Sequence, residues 1–193
     1  IKHGAAIEEA KWQADRVIEI ANADGIPPTG AVSLLREDFQ NKGRRLFASH
    51  CSSCHRYNGH DGRGFPVDDT PSAADLAGFA SVEWITELLD YDHYVSHKYF
   101  GGTKFKDGTM ARKVLAKYTE EEKKLLPDIA ILLADGANLP YEKKLDEDRR
   151  EELLSLYYND DLKFEDGRSC IECHDIDSED EGSAPDPVSY THL

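Results

Sequence analysis

Four cysteines and two histidines carry the strongest chemical signal in this 193-residue chain. They fall in two copies of one pattern, Cys51-Ser52-Ser53-Cys54-His55 and Cys170-Ile171-Glu172-Cys173-His174, and no cysteine lies outside them. C-x-x-C-H is the pattern of c-type haem attachment. Two thiols three positions apart on a helical turn can each add to one vinyl group of a haem. The histidine that follows then turns its imidazole toward the iron. The pattern predicts haem c at two sites, one on Cys51, Cys54 and His55, the other on Cys170, Cys173 and His174. Other chemistries also use C-x-x-C pairs. A zinc site built from cysteines alone, or from cysteines and histidines, does so, but its pairs usually sit closer in sequence and need no histidine directly after each. A pair of disulfides or a thioredoxin-like redox site fits neither the immediate histidine nor the helical setting.

A haem iron with histidine on one face takes a second ligand on the other. The only methionine is Met110, in the turn Lys106-Asp107-Gly108-Thr109-Met110. A glycine-containing turn can bring a thioether to iron from a loop, so Met110 is the expected distal ligand and a second metal-binding residue beside His55. A core methionine filling a gap is the plainer alternative, and His93 or His97 could ligate instead. His/Met ligation raises the potential of a haem relative to a bis-histidine site, which suits an acceptor downstream of a quinol. After His174 only His192 follows, so the second haem has no assigned distal ligand.

The elements that must position these residues read as helices. Residues 4–22 alternate Ile7, Trp12, Val17, Ile18 and Ile20 with charged positions, a rough apolar stripe that should lie against something. Gly25-Ile26-Pro27-Pro28 ends that helix. A second helical stretch over 39–48 leads into the first motif, and 61–71 is a polar loop. Ser81 caps a further helix. Thr119 and Glu122 form a capping box for a helix ending near Gly136, with Pro127 inside it to kink or restart it. Residues 137–150 are charged and read as a linker, 151–158 as a short amphipathic helix, and 159–182 as a strongly acidic stretch. Period-two strand patterns are nearly absent, so the class is mainly α with long loops. Trp84 is expected to pack on the haem-bearing core.

Composition limits the rest. Lys plus Arg number 23 against 38 Asp plus Glu, a net charge of −15, and a phosphate backbone would be repelled. No nucleic-acid partner is expected. No run reaches the roughly 20 apolar residues of a membrane helix, so this stretch contains no span. The chain starts at Ile1, and any exporting or anchoring segment is expected upstream. Residues 187–193 follow the acidic stretch without a capping signal and read as foreign to the fold.

Gly43-Arg44-Arg45-Leu46-Phe47-Ala48-Ser49-His50-Cys51 through His55 resembles the opening of a class I cytochrome c domain, a glycine- and aromatic-containing helix running into C-x-x-C-H. The resemblance extends through Asp75-Leu76-Ala77-Gly78-Phe79, Glu83-Trp84-Ile85 and Phe100-Gly101-Gly102-Thr103-Lys104-Phe105, over about residues 38–135. In that family a proline before the Asp-Leu pair often supplies the carbonyl that orients the proximal histidine. Here Ala74 holds that place, while Pro185 holds it in the second copy, Ser183-Ala184-Pro185-Asp186. The second copy also has a short lead-in, Gly167-Arg168-Ser169-Cys170, and stops before a methionine would come.

The domain organisation this implies is a helical leader at 1–37, a cytochrome c domain at 38–136, a linker at 137–150 and an incomplete second haem module at 151–193. The wider arrangement resembles the dihaem cytochrome c extensions fused to or partnering cytochrome b in bacterial bc-type quinol-oxidising complexes, as in planctomycetes. That resemblance implies electron transfer rather than catalysis, and cytochrome b/Rieske-type subunits or another redox protein as partners. It also implies a periplasmic location and a membrane tether upstream. The acidic surface would help choose basic partners. The competing function is a dihaem peroxidase, for which the second haem would offer the open face. A haem-based sensor would need an effector domain, and none is recognisable.

Overall fold

The computed structural model describes residues 2–67, 69–158, 169–174, 176 and 187. It is mainly helical, as expected, and the described residues contain no strand, only isolated bridges joining Tyr57 to His60 and Asp61, and His60 to Pro66. No helix among them is long and apolar enough to cross a membrane. The chain divides into two compact units, Ile1–Ala77 and Gly78–Leu193.

The first unit opens with α1 (Lys2–Asp24), two residues longer at each end than the apolar stripe indicates. Gly25 stops it in the left-handed region (φ 80°), its N–H bonding the Ala21 carbonyl at 2.9 Å. The helix does lie against another element, and its stripe is split: Trp12, Val17 and Ile20 are half-buried, while Ile7 and Ile18 are exposed. Its one buried residue is Glu9. Glu9 receives Gln13 Nε2 at 2.8 Å, Arg44 Nη2 at 2.8 Å and Arg63 Nε at 3.2 Å, and the Arg44 guanidinium stacks 3.7 Å over the Trp12 ring. Charge pairing and cation–π contact therefore dock α1 beside the first cysteine motif.

Helix α2 (Ala31–Glu37) has no counterpart in the sequence reading. It is too short for a helical period to show, and Gly30 gives it no side-chain cap. Asp38 ends α2 and starts α3 (Phe39–Leu46), accepting the Asn41 N–H at 2.9 Å. Its other oxygen takes Arg16 Nη2 of α1 at 2.7 Å, so one carboxylate ties α1 to α3. α3 runs on into a π-turn, Phe47–Cys51, that ends on the first cysteine.

The second unit is built on α4 (Val82–Leu89) packed against α7 (Leu126–Gly136). Trp84, Ile85 and Leu89 of the one and Leu126, Ile129, Ala130 and Leu133 of the other are buried. Trp84 lies 4.9 Å from the Phe79 ring and 5.2 Å from that of Tyr99. Ser81 caps α4, accepting the Trp84 N–H at 3.2 Å, as the sequence indicates. A one-turn helix, α5 (Tyr91–Tyr94), follows.

The capping box at Thr119 and Glu122 forms and starts α6 (Glu120–Lys123). Pro127 sits in the first turn of α7, where its missing N–H costs nothing, so it restarts the helix rather than kinking it. Helix α8 (Glu147–Tyr158) begins four residues before the expected 151. Buried Asp135 explains the early start: it accepts the Leu145 N–H at 3.0 Å and Arg150 Nε at 3.0 Å, pinning the approach to α8. Leu153 and Tyr157 then bury the helix.

Two expected outcomes follow from the first unit. The Arg16 guanidinium, above all, holds the Asp38 carboxyl below the ordinary carboxylate range. Its folded pKa is depressed, so this stabilisation is present above about pH 3.9 and lost as pH falls through the lower folded value. Asp38→Asn keeps a capping oxygen but loses the ion pair. Acid titration followed by circular dichroism should show a shallower loss of helix below about pH 4 in the variant than in the wild type. Gly62 has φ 86°, and a Cβ there would stand 2.8 Å from Phe47 Cδ1. Gly62→Ala should destabilise the protein by about 1–3 kcal/mol in urea unfolding.

Candidate haem-attachment site

The π-turn delivers Cys51 into a tight turn. The Cys51 carbonyl accepts both the Cys54 N–H at 3.1 Å and the His55 N–H at 2.8 Å, which fixes the spacing of the two thiols and the imidazole on one turn. Ser52 ties the turn back to the helix, its Oγ donating to the Ala48 carbonyl at 2.8 Å. Both thiols are free, Cys51 half-buried and Cys54 exposed.

His55 Nδ1 lies 2.7 Å from the Ala74 carbonyl oxygen. A carbonyl only accepts, so Nδ1 carries the proton and Nε2 keeps its lone pair for a metal. The departure from proline at this position is thereby explained: the orienting group is a backbone carbonyl, and Ala74, which is buried, presents it as well.

Three side chains hold the intervening loop, and one of them, Arg56, has no counterpart in the sequence reading. Arg56 is buried and donates to the carbonyls of Ser52 (2.7 Å), His55 (2.9 Å) and Asp69. Buried Asp75 accepts from the N–H groups of Asn58 (2.8 Å), Gly59 (2.7 Å) and Ala77 (2.8 Å). His60 Nδ1 accepts from Gly62 and Gly64 at 3.0 and 3.2 Å, so His60 shapes the loop. The N–H groups of Ser72 and Ala73 both close on the Cys54 carbonyl at 3.2 Å. A lone arginine directly after C-x-x-C-H carries no pattern that marks it in sequence.

Two of the thiols, Cys54 and Cys170, sit in opposite environments. Cys54 is held below its ordinary thiol value, first by a hydrogen bond with Ser72, then by Ser53 and the Arg56 charge. Cys170 is pushed up by burial, partly offset by a hydrogen bond with Tyr118. Burial raises the Tyr118 phenol as well.

The second motif repeats the turn of the first. The Cys170 carbonyl accepts the Cys173 N–H at 3.2 Å and the His174 N–H at 2.8 Å. The motif forms a short 3-10 turn, Cys170–Glu172, against α8, where the Tyr157 hydroxyl donates to the His174 carbonyl at 3.2 Å. Its lead-in residues Gly167 and Arg168, the Ser183-Ala184-Pro185-Asp186 segment, the acidic cluster at 177–182 and the terminal stretch with His192 lie outside the described residues, apart from Pro187 in that stretch.

Met110 opens a π-turn, Met110–Val114, in the second unit and is half-buried. His93 and His97 are more open; His93 is exposed, and its Nδ1 pairs with Asp90 at 2.8 Å. The glycine-bearing turn before Met110 is present as expected, with the Gly108 N–H on the Phe105 carbonyl at 2.9 Å.

The donor set suits a haem. Among the described residues, no three His, Cys, Asp or Glu side chains gather round a point that could hold a metal ion. Zinc needs such convergence, with ligands about 2.0–2.3 Å from one centre. Thioether attachment needs the opposite, two thiols directed at separate vinyl groups and an imidazole between them. Free thiols on a fixed turn, with Nδ1 of His55 engaged by the Ala74 carbonyl and Nε2 left for a metal, meet that requirement.

The comparisons agree with the site. Residues 40–126 match the family model described as Cytochrome c. No curated protein and no solved structure matches the chain. The match takes in the first C-x-x-C-H turn, the Ala74 carbonyl, α4 and Met110, and stops before the second motif. Over residues 40–126 the chain is thus similar to a cytochrome c domain, a likeness that supports covalently bound haem c and one-electron transfer.

Proposed function

We propose that the chain is an electron-transfer module in which Cys51 and Cys54 would hold haem c and His55 and Met110 would ligate its iron. The bond between His55 Nδ1 and the Ala74 carbonyl carries this reading, because it leaves Nε2 as the one available ring donor. Bound haem c supplies reversible one-electron exchange at its iron. The chain's own residues do the rest. Cys51 and Cys54 anchor the group on one turn, and the Ala74 carbonyl sets the tautomer and plane of His55. Met110, on a half-buried turn, would offer its thioether to the iron. A site with both axial positions filled by side chains favours transfer over catalysis.

The second motif is read as a further haem c site on Cys170, Cys173 and His174. Its support is the repeated backbone turn and the all-or-none use of the cysteines. The wider resemblance supports electrons arriving from a quinol-oxidising complex of the cytochrome b/Rieske type and leaving to another redox protein. Haem attachment to thiols takes place outside the cytoplasm, which supports a periplasmic site for the module. A tether from sequence upstream of Ile1 completes this reading.

Haem should resist acid–acetone extraction at two per chain when the protein is made with the haem-attachment machinery, as counted by pyridine haemochrome. One per chain would confine the function to the Cys51–His55 turn, and none would overturn it. Met110→Leu should abolish the far-red absorption of a thioether–iron bond, lower the midpoint potential and open the iron to carbon monoxide. His93→Ala and His97→Ala should leave all three unchanged. Carbon monoxide binding and peroxide turnover in the unmodified protein would instead favour a dihaem peroxidase.

A further inference from the structure

Arg56 follows the iron-binding histidine of the first motif and is only 5% exposed. Its described partners are the carbonyls of Ser52, His55 and Asp69. A buried guanidinium ordinarily faces a carboxylate. Among the described residues, Arg56 makes no ion pair with one. The titratable groups around it are Cys54 and His55 on its own turn, and Asp69 and Asp75 on the loop that closes over it. Asp69 meets it through the backbone carbonyl, and the Asp75 carboxylate takes the N–H groups of Asn58, Gly59 and Ala77. Neither carboxylate is within ion-pair distance of the Arg56 guanidinium among the described contacts, so its charge is held by carbonyl dipoles.

We infer that Arg56 is a fixed internal cation that positions the His55 turn and raises the midpoint potential of the haem held there. The inference rests on the reading of Cys51, Cys54 and His55 as a haem site. Reduction adds one electron to the haem. A nearby positive charge shielded from water lowers the energy of the electron-rich state more than that of the oxidised state. The guanidinium stays protonated across the working pH range, so its field is constant. Its planar fork also reaches carbonyls at the start and end of the turn and on the opposite side of the loop.

The test is a redox titration of the haem-loaded full chain as wild type, Arg56→Gln and Arg56→Lys, each with haem counted per chain. The haem-loaded fraction of Arg56→Gln should show a lower midpoint potential than wild type. The difference should persist from low to high salt, because a buried charge is weakly screened. Arg56→Lys should stay near wild type at neutral pH, since it keeps the charge. Raised from about pH 6 to about pH 11, past the ordinary ammonium pKa of about 10.4, its potential should fall away from the wild-type curve as the charge is lost.

Equal potentials for wild type and Arg56→Gln would overturn the inference. So would a neutral-pH shift in Arg56→Lys as large as that in Arg56→Gln, or a difference that vanishes with salt. If Arg56→Gln fails to accumulate with haem, the Arg56→Lys profile decides: a fall relative to wild type supports the fixed cation, and a parallel curve overturns it. Wild type without covalent haem would overturn the parent reading as well, which separates the two failures.

Discussion

An imidazole that is to bind iron must be held by one nitrogen and left bare at the other. In this chain the hydrogen bond from His55 Nδ1 to the Ala74 carbonyl meets that constraint, and most of the first unit's loop architecture serves it. Asp75, the next residue, gathers three N–H groups, so the segment carrying the carbonyl cannot drift. Arg56 and the N–H groups of Ser72 and Ala73 close the same loop from the motif side. These groups are buried backbone polars that need partners in any case. The fold satisfies them in a way that also aims a ring.

The two C-x-x-C-H turns share their backbone and differ in what surrounds them. The first grows out of α3 through a π-turn and presents Cys54 to solvent. The second is a 3-10 turn set against α8, with Cys170 buried beside Tyr118. Sequence pattern fixes the local turn because its hydrogen bonds run between residues three and four apart. It says nothing of the neighbours, which come from α8 and from the turn before α6.

What the sequence discloses follows the same division between local and distant causes. The cysteine motifs, the Ser81 cap, the Thr119–Glu122 box and the stop after α1 are each settled within a few residues, and all can be read directly. Pro127 is ambiguous in sequence between kink and restart, and its place in the first turn of α7 resolves it. Helices α2 and α5 leave no sequence signal because neither is long enough for a period to emerge. Arg56 and Glu9 are hidden for another reason. Each looks in sequence like an ordinary surface charge, and only tertiary packing makes it buried. The docking of α1 is legible but only half of its chemistry is, because the apolar stripe gives no sign of the carboxylate–guanidinium pairing that adds to it.

The contacts around the first motif differ in reach, and reach orders assembly. The His55–Ala74 bond closes a separation of 19 residues, whereas the Arg63–Glu9 bond spans 54. Closing the longer loop costs about 1 kcal/mol more chain entropy by the logarithmic rule. Short-range contacts also form faster. The proximal loop therefore closes first, and α1 docks onto a turn that is already shaped. Nascent chains presented to an attachment enzyme would carry a formed cysteine turn before their N-terminal helix has settled.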